Sequence, residues 1–224
     1  MVDTAWAVTA SSSHGGSGLY DRAIRAGGGL LAVAAADELS HPTTPLDISA
    51  FVGAATGEER EVLALTKGSL LDVGCGPGRL VRAALDTHRP ALGIDVSQAA
   101  VAHALSEGLP VLRRSVFDQI PGEGSWGAVV LLDGNIGIGG EPEVLLERCA
   151  VLLGASGQMV VESHADLARD SRFQAQLVDE SGVCSALFPW AEVGATIIRS
   201  ITADLGLATT TVLLGQRTFV IASR

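Results

Sequence analysis

From Ser69 onward, short apolar runs alternate with longer stretches whose apolar residues recur at helical spacing. The runs 69–73, 91–95, 111–115, 126–132 and 158–162 read as strands, and the stretches 78–88, 98–106 and 142–153 read as helices. Ser97 is placed to cap the second of these helices, and Pro142 to occupy the first turn of the third. Glycine and proline punctuate the joins at Gly108-Leu109-Pro110, Pro121–Gly124 and Gly154-Ala155-Ser156-Gly157. Repeated strand–helix alternation predicts an α/β fold with a doubly wound, mostly parallel sheet.

Two features break the alternation. Residues 172–178 alternate polar and apolar, 179–182 form a turn and 183–188 are extended in character, which predicts an inserted hairpin after the fifth strand. A helix is predicted from Ala191 to Leu205. Thr209–Leu214 and Thr218–Ala222, joined by Gly215-Gln216, then form a terminal hairpin that brings the sheet to seven strands. Ahead of the alternating part, residues 1–15 read as a disordered polar tract, and a short helix is predicted over 18–26, stopped by Gly27-Gly28-Gly29. Leu30–Ala36 is strand or helix; periodicity does not decide. His41–Pro45 reads as a turn-rich connection, and Thr56 opens a helix to about Leu65 with Glu58 and Glu59 in its first turn. The chain divides into an amino-terminal region, 1–66, and a core, 67–224.

Composition narrows the function classes. Hydrophobic residues make up 47% of the 224, but aromatics only 4%, a mix that suits a Val/Leu-rich parallel sheet under Ala-rich helices. The formal charge is −10, shared equally between 1–66 and 67–224, so neither part hides a basic face in its total. A polyanion needs arginine or lysine at its phosphates, and a nucleic-acid partner is not expected. The three cysteines, Cys75, Cys149 and Cys184, have no metal-ligand spacing, so no metal is expected and a reducing cytoplasm fits. No positively charged leader and no run of about 18 apolar residues is present, so neither secretion nor a membrane partner is expected. Monomer and homodimer stay open.

The chemistry concentrates in Leu71-Asp72-Val73-Gly74-Cys75-Gly76-Pro77-Gly78-Arg79 and in Gly93-Ile94-Asp95-Val96-Ser97. A strand, a glycine turn, a helix, a strand and then an acid make half of a nucleotide-binding unit, in which the acid takes ribose hydroxyls. A dinucleotide turn puts its third glycine where Arg79 stands, and its pyrophosphate would be repelled by Asp72; that acid suits a cationic ligand instead. The two segments resemble motifs I and II of the class I S-adenosylmethionine-dependent methyltransferases, over about Lys67–Arg224. The resemblance implies S-adenosyl-L-methionine as cofactor and S-adenosyl-L-homocysteine as product. It places Asp72, Gly74, Cys75, Gly76 and Gly78 at the methionine end and Asp95 at the ribose. The adenine would lie near Val96 and Ser115-Val116-Phe117-Asp118, with either Ser115 or Asp118 at its amine. By the same resemblance residues 1–66 would form a lid that, with the inserted hairpin, covers the substrate; Tyr20 is a candidate lid residue over the cofactor, helix packing being the other reading.

The segment Leu132–Gly140 follows the fourth strand, whose carboxyl end faces the reacting centre in open α/β sheets. Asp133, Gly134 and Asn135 are candidates for contact with the cofactor, and Asp133 also for catalysis, with turn formation the rival. The segment lacks the Asp/Asn-Pro-Pro-aromatic run of enzymes that methylate DNA bases and glutamine, since Gly134 stands at the first proline. His164, after the fifth strand, is the best-placed general base, with Asp166 or Glu162 to orient it. Phe188 and Trp190 line an apolar substrate site or pack the hairpin on the sheet. These residues point to methyl transfer to a small-molecule acceptor at oxygen, nitrogen or carbon. A protein or peptide acceptor and a cofactor-binding protein without catalysis are the alternatives.

Overall fold

The structure is a computed structural model that describes residues 17–36 and 44–224. The polar tract 1–15 and His41–Thr43 lie outside the described residues. Helix α1 (Ser17–Arg25) leads to β1 (Leu30–Ala35), β2 (Thr44–Asp47), α2 (Ile48–Val52) and α3 (Gly57–Ala64). The alternating part is β3 (Leu70–Val73), α4 (Arg79–Asp86), β4 (Ala91–Asp95), α5 (Gln98–Ser106), β5 (Val111–Arg113), β6 (Trp126–Leu131), α6 (Pro142–Leu152) and β7 (Leu153–Glu162). Strands β8 (Asp170–Asp179) and β9 (Phe188–Val193), helix α7 (Ala195–Asp204) and strands β10 (Ala208–Leu214) and β11 (Arg217–Ser223) complete the chain.

Seven strands form one sheet in the order β10-β11-β7-β6-β3-β4-β5. The five from β3 to β7 run parallel, while β11 is antiparallel to both β7 and β10. Burial on both faces explains the unbroken apolar runs. Leu71, Val73, Val129, Leu131, Met159 and Val161 meet α6 and α7 through Leu145, Leu146, Cys149 and Ile198. On the other face, Leu70, Ala128, Val130, Val160 and Phe219 meet Val62 and Leu63 of α3 and Leu80, Ala83 and Ala84 of α4. Part of the segment before Lys67 therefore packs with the core. Helix α3 starts at a full capping box: Thr56 Oγ accepts from the Glu59 amide, and Glu59 accepts from the Thr56 amide. Ser97 caps α5 by accepting from the Ala100 amide at 3.1 Å.

A second sheet, β2-β1-β8-β9, is antiparallel throughout. Leu30–Ala35 is thus strand, resolving the ambiguity of that run, and Thr44 and Pro45 lie in β2 rather than in a turn. The inserted hairpin is present, but its second arm lies further along than 183–188. Only an isolated bridge joins Val178 to Cys184, and the paired arm is Phe188–Val193. The helix predicted from Ala191 accordingly begins at Ala195. Ala191 and Val193 are buried with Glu192 less so between them, a period of two that continues the strand to Gly194. Gly154–Gly157 is likewise not a separate turn: it bulges within β7, whose pairing with β6 jumps from Trp126↔Leu153 to Ala128↔Gln158. Leu19 and Ile24 of α1, Leu31, Ile48, Leu177 and Ala99 of α5 form a small core that fixes the second sheet beside the first.

Candidate functional site

The carboxyl ends of β3, β4, β6 and β7 share one edge of the main sheet, and strand order turns back on either side of β3. Ligands of open α/β sheets bind at that place. Here it opens into a cavity of about 610 Å³, with the second sheet as its far wall. The volume is within the range of pockets that enclose a ligand of nucleoside size.

The turn after β3 forms the inner lip. Gly74 and Gly76 have φ of 72° and 53°, in the left-handed region. A Cβ on Gly74 would sit 2.6 Å from Asn135 Nδ2, and one on Gly76 would sit 3.0 Å from the Tyr20 hydroxyl. The amides of Gly74 and Cys75 donate to Ile94 O at 2.9 and 3.0 Å, which ties the turn to the end of β4. Asn135 Nδ2 donates to Val73 O and Gly74 O at 2.9 and 3.0 Å, so its amide joins the loops after β3 and β6. Gly78 faces backwards: a Cβ there would lie 2.7 Å from Leu109, and the residue is not among those lining the cavity.

Asp95 Oδ2 accepts from the Gly76 amide and Oδ1 from the Ser97 amide, both at 2.8 Å. Burial pushes its carboxyl above the usual range, and those amides oppose the rise. Asp21 of α1 accepts from Ser97 Oγ at 2.5 Å, which seats α1 over this corner. Tyr20 of the same helix lines the cavity above the glycine turn, and burial, then Asp95, hold its phenol well above the usual value.

Asp72 is 2% exposed, and its Oδ2 is the one buried side-chain nitrogen or oxygen among the described residues without a hydrogen-bond partner. Burial pushes its carboxyl up to about 8 against the pull of Arg79. Arg79 is committed elsewhere. Its Nη2 donates to Glu59 at 2.6 Å and to Asp133 at 2.5 Å, and Nε donates to Glu59 at 3.1 Å. Arg217, entering from the start of β11, donates to Glu162 at 2.6 and 2.7 Å, to Glu59 at 2.9 Å and to Asp133 at 3.1 Å. Burial opposes ionisation of Glu59, yet the two arginines draw its carboxyl down to about 2. Burial raises that of Asp133. The Asp133 amide donates to Glu162 at 2.7 Å, and its backbone is left-handed, with φ of 56°.

Of the adenine-side candidates, Val96, Ser115, Val116 and Phe117 line the cavity. Asp118 does not; it accepts from the Ser115 amide at 3.0 Å and closes a turn there. Across the cavity stand Phe188 and Trp190, ring centroids 5.9 Å apart and planes at 87°, together with Gly134 and His164. His164 Nδ1 accepts from the Asp166 amide at 3.0 Å, so the neutral ring carries its proton on Nε2. Neither candidate carboxylate orients it: Asp166 accepts from the Ala168 amide, and Glu162 is held by Arg217.

Glu59 and Arg217 escaped sequence reasoning, as did the second-sheet wall of Val33, Leu46 and Leu177. A lone glutamate in a capping box and a lone arginine after a hairpin turn carry no signal of a shared site. Among the described residues no group of His, Cys, Asp and Glu is arranged to hold a metal, and no helix is long and apolar enough to cross a membrane.

The architecture is shared with solved structures. A SAM-dependent methyltransferase from Bacteroides fragilis, solved with S-adenosyl-L-homocysteine, superposes with a TM-score of 0.74 over 94% of this chain and 95% of that one, at 19% identity. For an amino pentose methyltransferase from Micromonospora echinaspora, solved with SAM bound, the TM-score is 0.57 over 78% and 94% of the two chains, at 17% identity. A sugar N-methyltransferase from Streptoalloteichus gives 0.54 over 74% and 84%, at 20% identity. No protein-family model and no curated protein matches the sequence. The chain has the class I SAM-dependent methyltransferase fold.

Proposed function

We propose that this chain transfers a methyl group from S-adenosyl-L-methionine to a small-molecule acceptor. The observation that carries the reading is the pairing of Asp72 and Asp95 on either side of the glycine turn, inside one cavity. An orphaned buried carboxyl oxygen and a turn whose two glycines hold left-handed backbone suit a ligand that brings a cation and lies against the backbone. Asp72, Gly74, Cys75 and Gly76 would hold its amino-acid end, Asp95 its ribose, and Val96 with Ser115-Val116-Phe117 its adenine. Gly78 serves the turn from behind. When bound, the cofactor supplies a methyl group on a sulfonium, already activated for displacement.

The protein's own task is then to align an acceptor and keep water out. We assign residues 17–52 and the hairpin β8–β9 as the substrate cover, with Phe188, Trp190 and Leu177 as its apolar inner face. Polar groups at that end are Asp133, already held by two arginines, and His164, which offers an Nε2–H. His164 therefore orients an acceptor as a donor; taking up a proton would require Nδ1, now engaged by the Asp166 amide. The solved relatives named for sugar and amino pentose methylation support a small acceptor, and the atom methylated is left to experiment.

The test is calorimetry and thermal shift on the pure protein. S-Adenosyl-L-homocysteine should bind and raise the melting temperature, and NAD should do neither. Absence of binding by the methylated and demethylated cofactor at millimolar concentration would overturn the proposal. Turnover, read as S-adenosyl-L-homocysteine release across amines, phenols and amino sugars, separates an enzyme from a non-catalytic binder.

A further inference from the structure

The end of the cavity away from the glycine turn is walled by Val33, Leu46 and Leu177 of the second sheet and by Phe188 and Trp190 of β9. The two rings stand at 87°, so a flat ring entering their corner meets the face of one and the edge of the other. The acids at this end are already paired. Glu192 accepts from Arg169 at 2.7 and 3.1 Å and from Thr44 Oγ1 at 3.4 Å. Glu162 is held by Arg217, and Asp133 by Arg79 and Arg217. Asp47, on the exposed rim, caps α2 through the Ser49 amide, and Ser163 spends its hydroxyl on His164 O. What remains are donors: the ring N–H groups of His164 and Trp190 have no hydrogen-bond partner among the described residues. A sugar, with hydroxyls around its ring, would leave most of them unpaired against these walls, and an ammonium would find no free carboxylate. A neutral amine has one lone pair, and giving it to an N–H removes it from attack. An oxygen anion accepts a hydrogen bond and keeps lone pairs to spare.

We propose that the acceptor is a flat aromatic alcohol methylated on oxygen as its phenolate, and that His164 selects it by donating Nε2–H to that oxygen. The proposal rests on the methyl-transfer reading above and names its acceptor class. The phenol gives its proton to solvent on binding, and the His164 donor stabilises the anion left behind. The phenolate oxygen then forms a bond to the methyl carbon while the bond from that carbon to sulfur breaks, its electron pair staying on sulfur. The negative charge of the phenolate and the positive charge of the sulfonium cancel, leaving an aryl methyl ether and a thioether. No side chain has to take up a proton, which agrees with a His164 whose Nδ1 is already engaged by the Asp166 amide. Phe188 and Trp190 supply the surfaces on which the aromatic ring lies.

The experiment compares 4-methylumbelliferone, 7-amino-4-methylcoumarin and glucosamine. The first two share one flat ring system and differ in carrying oxygen or nitrogen; the third is an amino sugar. Calorimetry on the protein saturated with S-adenosyl-L-homocysteine reads acceptor binding without turnover, and product mass after incubation with S-adenosyl-L-methionine reads the atom methylated. 4-Methylumbelliferone should bind about tenfold or more tighter than the amine and be methylated on oxygen, and glucosamine should do neither. In His164→Phe, affinity and kcat/KM for 4-methylumbelliferone should fall roughly 10- to 100-fold, as for loss of a hydrogen bond to a charged group. His164→Gln, which keeps an N–H donor of similar reach, should recover most of that loss. An unchanged thermal shift with S-adenosyl-L-homocysteine shows both variants to be folded. Preference for the amine or the amino sugar, no binding of 4-methylumbelliferone, or its unchanged affinity in His164→Phe overturns the proposal and leaves the cofactor reading standing. Failure of S-adenosyl-L-homocysteine itself to bind the unmodified protein overturns the two together.

Discussion

Asp95 joins two pieces of backbone at the corner proposed above for the ribose. One oxygen takes the Gly76 amide from the glycine turn, the other takes the Ser97 amide at the start of α5. Each oxygen keeps a lone pair for a further donor, so a ligand with two adjacent hydroxyls can be added without breaking either bond. Asp95→Ala should reduce affinity for S-adenosyl-L-homocysteine roughly 10- to 100-fold, the equivalent of about 1.5–3 kcal/mol for hydrogen bonds to a charged group. Calorimetry checks this, and unchanged affinity would remove Asp95 from the ribose. Asp95 is legible in the sequence because its role depends on a local arrangement: an apolar run ending in an acid, with a capping serine two residues on. His164 is only half legible. Its place after a strand is plain, but the amide that claims Nδ1 belongs to a tight turn two residues later, and that turn decides whether the ring donates or accepts. Thermal shift with S-adenosyl-L-homocysteine should be the same in His164→Asn as in the unmodified protein if the ring serves the acceptor, as proposed; a lost shift would place His164 with the cofactor instead.

Elements meet at and behind the cavity wall through Arg79, Asp133 and Glu162, which line it, and Glu59 and Arg217 behind them, tying α3, α4 and the ends of β6, β7 and β11. Removing one partner from such a cluster leaves buried charge uncompensated, a cost of about 3–5 kcal/mol. Arg217→Met, at a position that is 24% exposed, should fall near the lower end, about 3 kcal/mol, measured by urea unfolding. Adding Glu162→Gln should cost less than the sum of the two single changes, since it removes the orphaned carboxylate. A second joint lies where the 3₁₀ segment Asn135–Gly140 packs on β9. A Cβ on Gly137 would come within 2.4 Å of Ala191 O and 2.5 Å of Trp190 Cε2. Gly137→Ala should displace β9 and change Trp190 fluorescence, with a loss of about 1–3 kcal/mol. These joints explain what the sequence conceals. Strands β3 to β7 announce themselves because each is a buried apolar run with its own turn signals. The second sheet pairs β1 with β8, about 150 residues apart at Leu31 and Asp179, and no local pattern encodes that distance. The same pairing moved the hairpin's second arm to Phe188–Val193, where alternation over six residues was masked by the helix that follows.

The whole molecule's response to pH is led by two carboxylates moved far in opposite directions. Glu59 falls from an ordinary 4.5 to about 2 in the folded chain, so its contribution is complete above about pH 4.5 and disappears as pH drops toward 2. Asp72 rises from 3.8 to about 8, so the folded state binds the extra proton between those values, and stability declines as pH climbs through that window. Burial moves Asp95 and Asp133 in the same direction as Asp72. The ligand-free protein should therefore be most stable near pH 5 and lose stability toward pH 8, against the acid-sensitive habit of chains dominated by surface carboxylates. Urea unfolding at pH 5, 6.5 and 8 measures the slope. Asp72→Asn should make it visibly shallower; an equal slope in the variant would mean that Asp72 ionises as readily in the folded chain as in the unfolded one. Saturation with S-adenosyl-L-homocysteine should do the same to the unmodified protein for a different reason, since an ionised Asp72 then has a cation beside it. The agreement of those two curves, one from deleting the acid and one from partnering it, would assign to the orphaned oxygen of Asp72 its own share of the decline toward pH 8, apart from the shares of Asp95 and Asp133.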